Sequence, residues 1–583
     1  MDNSAIVKKR YKLALENQRP KFDKFNEFDY IFHSKLKYFD PNIPSKVFNP
    51  IGWSFVETIV TRMLSKDPVV AYKPRETGDK IQSSILTDMF SYWYDKADVY
   101  PKMVEWVKSA LIYGTGIIKL DWYTSEPRMV KSYIYDETGE AVVDENGQYI
   151  TQETPVVDYD DPRIQNVNIY DFFVDPKATS IDDAKWVIHQ YWVEIAELEA
   201  QNKQAEKFGK TIYSKSGLKK LKASKTSDEE FEQERRRAAG YNDDKGDSTV
   251  DRVKIWEMWE NNKCVVIADE SIELRNEANY FWHGRKPFIR IVDSINLKDF
   301  YGKGEIEPIE KVIHAINTVQ NQRITNVNRI LSPMWKARNT VDDEELQFID
   351  NGIIHVNDLN DAEIIPMPNV TGTAINEQNA LMETAQRSLG VTDYVQGLQT
   401  PGQTAKEVEV KTSQANARFA HKVKLFETMG LKKLGEMVYQ LFQQFVTTSK
   451  VIRVVGPNGE RFARVSAAEL SGDYDVVPES ESTLEIDQGQ EFTKFVNLFQ
   501  LLQPYMRKQV QDPVTGAVQD VGYIDEQEMV KELINKSGEK DPERFTDGVG
   551  NVQSQNAGGQ GEIPQAINQT VSGGEGLLGA GQF

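Results

Sequence analysis

The sequence predicts an α+β fold that is mainly helical. Three observations carry that reading. Residues 297–338, LKDFYGKGEIEPIEKVIHAINTVQNQRITNVNRILSPMWKAR, hold a long unbroken helix pattern behind a glycine-punctuated start. The segments VKIWEMWE, KCVVIAD and PFIRIVD are short, rich in β-branched and aromatic residues, and alternate as an antiparallel sheet requires. The chain has 583 residues, 39% hydrophobic and 27% charged, too long for one core and apolar enough for most of it to fold.

Taken in order, residues 4–40 begin as a charged helix without the apolar segment of a secretory signal. An aromatic cluster follows: Phe22, Phe25, Phe28, Tyr30 and Phe32. Pro41, Pro44 and Pro50 mark an extended connector. Trp53, Val56, Ile59, Val60 and Met63 then share one helical face, Asp67-Pro68 stops that helix, and VVAYKP reads as a strand. A helix over about 79–95 carries Ile81, Ile85, Leu86, Met89, Phe90 and Trp93; another runs over about 101–113 and stops at Gly114. From Gly116 the pattern becomes a strand. Turn signals at 136–139 and 144–147 bracket a β-rich insertion, and the second lacks the ligand spacing of a calcium loop. Asp158, Asp160 and Asp161 read as a solvated loop. A strand, a turn at Asp175-Pro176, the strand WVIHQYW and a helix from near Glu194 come next. Residues 200–250, poor in large apolar side chains, read as a mobile helix-and-loop excursion. In the sheet beyond, Cys264 reads as a buried structural thiol, and Trp256 and Trp259 as core aromatics rather than a base-stacking platform.

The helix of 297–338 places Ile306, Ile309, Val312, Ile313, Ile316, Val319, Ile324, Val327, Ile330 and Leu331 at spacings of three and four. Pro308 suits the first turn, Ser332-Pro333 ends the run, and the helix would span roughly 40 Å. Its other face carries Asn317, Gln320, Asn321, Gln322, Asn326 and Asn328, with Arg323 and Arg329 among them. A solvated helix more often carries Glu and Lys there. The amide face is either a chance cluster on an ordinary amphipathic helix, or the face of a helix that meets its own copies or lines a wet channel. After it, DDEELQFI reads as a short helix and GIIHVND as a strand. A helix follows over about 374–390, then a polar loop, VQGLQTPGQTA. A very long helix over about 404–446 starts with a capping box, Thr404 and Glu407. Residues 451–487 alternate as strands about a turn at 456–459, helices resume at about 490–510 and 524–536, and the Gly/Gln/Asn/Ser-rich tail from about 549 reads as disordered.

The 69 Lys and Arg against 89 Asp and Glu leave a net charge of −20, which argues against tight gripping of nucleic acid but not against letting it pass. One cysteine excludes an intrachain disulfide framework and fits a reducing cytoplasm. No apolar run is long enough to span a membrane. His33, His189, His283, His314, His355 and His421 lack metal-ligand spacing, and no nucleophile-elbow, zinc-protease or paired-cysteine motif is present. The turns Tyr113-Gly114-Thr115-Gly116 and Tyr301-Gly302-Lys303-Gly304 do not complete a phosphate loop. The expectation is therefore no catalytic residue, no metal and no cofactor.

Five segments in order resemble the portal, or head-to-tail connector, proteins of tailed bacteriophages of the short-tailed kind: NPIGWSFVETIVTRMLSKDPVVAYKP, SALIYGTGIIKLDW, NIYDFFVDPKATSIDDAKWVIHQ, DFYGKGEIEPIEKVIHAINTVQNQRITN and GQTAKEVEVKTSQANARF. The resemblance covers most of residues 45–445. It implies a dodecameric ring about a central channel, with residues 1–298 as wing, 299–334 as first stem helix, 335–374 as clip and 375–395 as second stem helix. It further implies a tunnel loop at 396–403, a long wing helix at 404–450, wing strands at 451–489, crown helices at 490–547 and a tail at 548–583. On this reading Gln396, Gly397, Gln399, Thr400, Gly402 and Gln403 line the channel in the tunnel loop. Asn317, Gln320, Asn321, Arg323, Asn328 and Arg329 face it from the stem, and Lys336 and Arg338 belong to the clip. The implied partners are further copies of the chain, double-stranded DNA passing without sequence specificity, the major capsid protein, the terminase large subunit, tail adaptor or head-completion proteins, and scaffold or internal virion proteins, with no membrane. The implied place is the capsid portal vertex of the virion. Two other readings of the residues stay open: an enzyme acting on nucleic acid or polysaccharide through Asp158, Asp160 or Asp175, and a monomeric adaptor or scaffold.

Overall fold

The computed structural model describes residues 2–502 except 36, 38–42, 66, 67, 69, 76–79, 135–140, 143–148, 208–210, 222–229, 242–250, 340, 342–357, 359, 392–417, 448, 449, 457, 458, 467–469, 471 and 479–487; beyond 502 it describes 508–511, 518–521 and residue 529. The chain divides into two units, one of residues 1–454 and 462–486, the other of 455–461 and 487–583.

The first unit is built on α1 (Asn3–Phe32), whose buried row Val7, Tyr11, Ala14, Gln18, Phe22, Phe25, Phe28 and Ile31 follows helical spacing. It is followed by α2 (Ile51–Met63), β1 (Val70–Pro74), α3 (Lys80–Lys96) and α4 (Val99–Tyr113). Next come β2 (Thr115–Thr124), β3 (Arg128–Tyr133), β4 (Thr151–Val156), β5 (Asp160–Val167), β6 (Phe172–Val174) and β7 (Val187–Glu194). Helices α5 (Ile195–Lys207), α6 (Lys215–Leu218) and α7 (Glu230–Ala239) lead to β8 (Arg252–Trp259), β9 (Lys263–Ala268), β10 (Ile272–Ala278) and β11 (Phe288–Val292).

A five-stranded antiparallel sheet runs β10-β9-β8-β7-β6, and a three-stranded one runs β11-β2-β5. The sequence places PFIRIVD in one antiparallel sheet with VKIWEMWE and KCVVIAD. PFIRIVD instead pairs with β2, from Phe288 opposite Lys119 to Val292 opposite Thr115, in the separate three-stranded sheet. One buried ion pair ties the sheets: Lys119 Nζ on β2 donates to both Glu257 oxygens on β8 at 2.9 and 2.7 Å. Trp256 and Trp259 are core residues, Tyr11 stacks on Trp256 at 4.2 Å, and Cys264 is buried within β9. Burial pushes the Cys264 thiol far above its ordinary range.

Four further expectations are corrected. Trp53 sits on the exposed side of α2, and Ile51, Phe55, Val56, Ile59, Val60 and Met63 make the buried face. Asp160 and Asp161 are not in a loop: they open β5, where Asp160 accepts from Trp122 and Thr124 and buried Asp161 pairs with Lys96 at 2.8 Å. The excursion is not wholly detached, because α7 packs on α1, with Phe231 against Phe22 and Tyr170 and with Glu234 accepting from Tyr30. In the second unit, helix Gln488–Leu502 ends early, and Lys508–Gln511 and Val518–Val521 pair as antiparallel strands where helix was expected to 510. The turns at 136–139 and 144–147, the helix DDEELQFI, nearly all of the strand GIIHVND, most of 524–536 and the tail lie outside the described residues.

Beyond β11 the first unit continues with α8 (Ile306–Leu331), β12 (Trp335–Ala337), β13 (Ala362–Ile364) and α9 (Thr371–Leu389). A long helix, described over 418–445, returns with a π-helical turn at Glu427–Leu431. The segment at Tyr474–Pro478 closes a two-stranded sheet with β1.

Candidate functional site: the amide-rich helix and its attachments

The two glycine turns singled out in the sequence meet each other. Gly114 adopts a left-handed φ of +84° and ends α4; a Cβ there would lie 2.3 Å from the Gly302 carbonyl oxygen. A Cβ on Gly302 would in turn lie 2.4 Å from the Gly114 oxygen. The missing side chains let the end of α4 and the start of α8 touch backbone to backbone, and the Glu305 N–H donates to Leu111 O at 2.7 Å. Beside this contact Lys422, on the long helix, donates to both Asp293, just after β11, and Glu305, at the start of α8. All three side chains are at most 15% exposed. Burial, then the neighbouring Glu305 charge, pushes Asp293 well above the ordinary carboxylate range. Burial works against the Lys422 charge, but the two carboxylates outweigh it and hold its pKa up. A cleft of about 960 Å³ opens over this triad, lined among others by Lys303, Glu307, Ser388, Arg418 and His421.

From this base α8 runs out with α9 packed along it: Asn326 donates to Pro368 O near the start of α9, and Pro308 and Leu389 share the cleft at the other end. The buried face of α8 changes chemistry along its length. Ile306, Ile309, Ile313 and Ile316 are buried along the stretch that ends at Ile316; Asn317, Asn321 and Thr325 are buried beyond it. Val327 and Ile324, which continue the isoleucine stripe, are only half-buried, and Leu331 is exposed.

The amides are buried because the connector 43–49 lies over them. Asn321 Oδ1 accepts from the Val47 N–H at 2.8 Å and from Ser45 Oγ at 2.9 Å; its Nδ2 donates to Val47 O at 2.7 Å. Asn317 Oδ1 accepts from the Asn49 N–H at 2.8 Å. A primary amide thus pairs with both polar atoms of one peptide residue, as a neighbouring strand would. Asn317 and Asn321, expected on a channel wall, are in this chain the clamp of a strap, and the physical reason is the unpaired main chain of the proline-marked connector.

The other site residues are distributed as follows. Gln320 and Arg323 are half-buried, and Asn328 and Arg329 are exposed at the far end of α8. Lys336 is exposed on β12; Arg338, also exposed, pairs with Asp361 at 2.8 Å. Gln396, Gly397, Gln399, Thr400, Gly402 and Gln403 lie outside the described residues. The aspartates of the enzymatic alternative are each engaged locally: Asp158 with Arg128, Asp160 with Trp122 and Thr124, Asp175 with the Lys177 N–H. Among the described residues no group of three or more His, Cys, Asp or Glu could hold a metal ion, and no helix is long and apolar enough to cross a membrane. The sequence reading missed the Asp293–Glu305–Lys422 triad, whose members lie up to 129 residues apart and share no motif. It also missed the strap, for which Pro44 and Pro50 were the available signal.

A family model described as Phage SU10 portal protein matches residues 43–570. No match is found among curated proteins.

Proposed function

The chain belongs to the Phage SU10 portal protein family, and on that premise we propose that its copies close into a dodecameric ring at one vertex of the capsid. The ring is a conduit for double-stranded DNA during packaging and ejection and a platform for the terminase large subunit and tail adaptor proteins. The family is a structural component of the phage, so the role assigned is that of a conduit and not of an enzyme. In this reading residues 1–298, 404–450 and 451–489 form the wing, α8 and α9 the stem, 335–374 the clip, 490–547 the crown, and 396–403 the tunnel loop facing DNA. The major capsid protein surrounds the wing, and scaffold or internal virion proteins meet the inner side.

The observation that carries the reading is the α8/α9 hairpin. It leaves the body with Leu331 at 72% exposure and Met334 at 57%, and Val370 and Ile375 are exposed beside them. Among the described residues nothing covers these apolar groups, whereas a neighbour in a closed ring of head-to-tail contacts would. Net acidity and the neutral amides of the wall keep phosphate contacts few, because only cations displace counterions, and the stem contributes two, Arg323 and Arg329. With Asn317 and Asn321 spent on the strap, the stem groups assigned to the channel are Gln320, Arg323, Asn328 and Arg329. Lys336 and Arg338 are the clip cations. Negative-stain electron microscopy of the purified protein over several salt concentrations tests the proposal: rings with a central hole are expected. A uniform population of monomers would overturn it and favour the adaptor reading.

A further inference from the structure

We propose that the strap 43–49 is a releasable clasp that sets the position of the outer half of α8. The inference concerns the single chain and stands whether or not the ring forms. The two halves of α8 are held by different means. Ile306, Ile309, Ile313 and Ile316 are buried in the apolar core, and Glu305 is pinned by Lys422. Beyond Ile316 the buried positions are Asn317, Asn321 and Thr325, and the strap is bonded to the two asparagines.

α9 cannot replace the clasp. Of its nineteen residues only Ala385 and Leu389, both near its body end, are buried. The hairpin therefore joins the body firmly at one end and, midway, through hydrogen bonds from two asparagines. Those bonds reach main-chain atoms of the strap and the Ser45 hydroxyl; of the strap's apolar side chains Val47 is 43% exposed and Phe48 is only partly buried against the core. Apolar burial and a buried ion pair are expensive to undo, whereas neutral hydrogen bonds exchange with water at little net cost.

The seat is also imperfectly satisfied. Asn317 Nδ2, Gln320 Oε1, Arg323 Nε, Thr325 Oγ1 and Asn326 Oδ1 are buried without a protein partner, all within ten residues of one helix. Buried polar atoms without partners are costly, so this stretch has more to gain from a second arrangement than any other part of α8. Release of the strap frees the helix from about Asn317 outward while the isoleucine half stays docked. The strap is thus a fulcrum, and the asparagines are its positioning residues.

Amide hydrogen exchange of the full chain, read peptide by peptide, tests this. Wild type is compared with Asn321→Leu, which removes the larger half of the clamp, and separately with Val47→Pro, which removes one of the strap's donors, the Val47 N–H, and leaves α8 untouched. In both variants exchange over 43–49 and 318–331 is expected to rise about tenfold, roughly the effect of losing one or two net hydrogen bonds. Exchange over 306–316 and in Val187–Glu194 and Arg252–Trp259 is expected to stay at the wild-type rate. A rise shared by 306–316 and those strands would make the strap an ordinary part of the core and overturn the clasp. An unchanged rate over 318–331 in either variant would overturn it as well.

Discussion

Asp29 shows how one side chain registers its surroundings. It lies on the buried face of α1, and its two oxygens accept from Tyr113 Oη at 2.5 Å and Tyr170 Oη at 2.8 Å. Burial raises its pKa from 3.8 to about 6, and the two tyrosine hydrogen bonds recover only part of that. Glu257 is as deeply buried, yet it is held down to about 2, because Lys119 more than offsets the same desolvation. The sign for Asp29 follows directly. Between its unfolded value near 4 and its folded value near 6, the folded chain binds the proton and the unfolded chain does not. Stability therefore falls as pH rises through that window, by about 3 kcal/mol for a shift of this size, and is level above it. Asp29→Asn keeps a polar group facing both tyrosines and abolishes the titration. Its melting temperature is expected to match wild type near pH 4 and to exceed it progressively up to pH 7. Parallel melting curves for the two proteins across that range would refute the assignment.

At the scale of elements, the start of α8 is set by the contact of two glycine turns. Gly302→Ala would put a Cβ 2.4 Å from Gly114 O and 2.7 Å from Ser294 O, both backbone atoms that cannot swing aside. The expected loss is about 1–3 kcal/mol, as for overpacking a tight core. Lys303→Ala, one residue on and exposed, is expected to change stability by less than about 0.5 kcal/mol. Differential scanning calorimetry of the pair checks this, and equal melting temperatures would show that the turns have room. The sequence showed these turns and excluded a phosphate loop, but not that one turn receives the other, because a close approach leaves no mark beyond the glycine itself. Helices α2, α3, α4, α8 and α9 were legible to within a few residues, since periodicity reports a helix directly. Which neighbour covers a face is a tertiary fact. Periodicity therefore grouped Ile313 with Val327 and Leu331, and the structure separates them by where the body ends. The same limit hid the strap: Asn317 and Asn321 were visible as a row of amides, but their partner lies about 270 residues earlier in the chain. A buried lysine shared by two carboxylates, as at Lys422, has no signature at all at such separations.

For the whole molecule the question is what covers the end of the hairpin. Leu331, Met334, Val370 and Ile375 are exposed in one chain, so replacing them costs the isolated subunit little. In a ring each would be buried once per subunit, and the loss would repeat around the circle. Leu331→Glu combined with Ile375→Glu is therefore expected to leave the melting temperature of the dissociated subunit within about 2 °C of wild type, the usual range for surface changes. The same variant is expected to abolish ring formation, because it buries two unpaired charges at every contact of a chain that already carries −20. Raising the salt concentration should restore rings only in part: screening weakens repulsion between exposed charges but does not repay the desolvation of buried ones. Sedimentation velocity at low and high salt separates the outcomes. Rings as abundant as in wild type would mean that the hairpin end faces solvent in the assembly, and the contacts closing the annulus would have to be sought on the five-stranded sheet or on α1 instead.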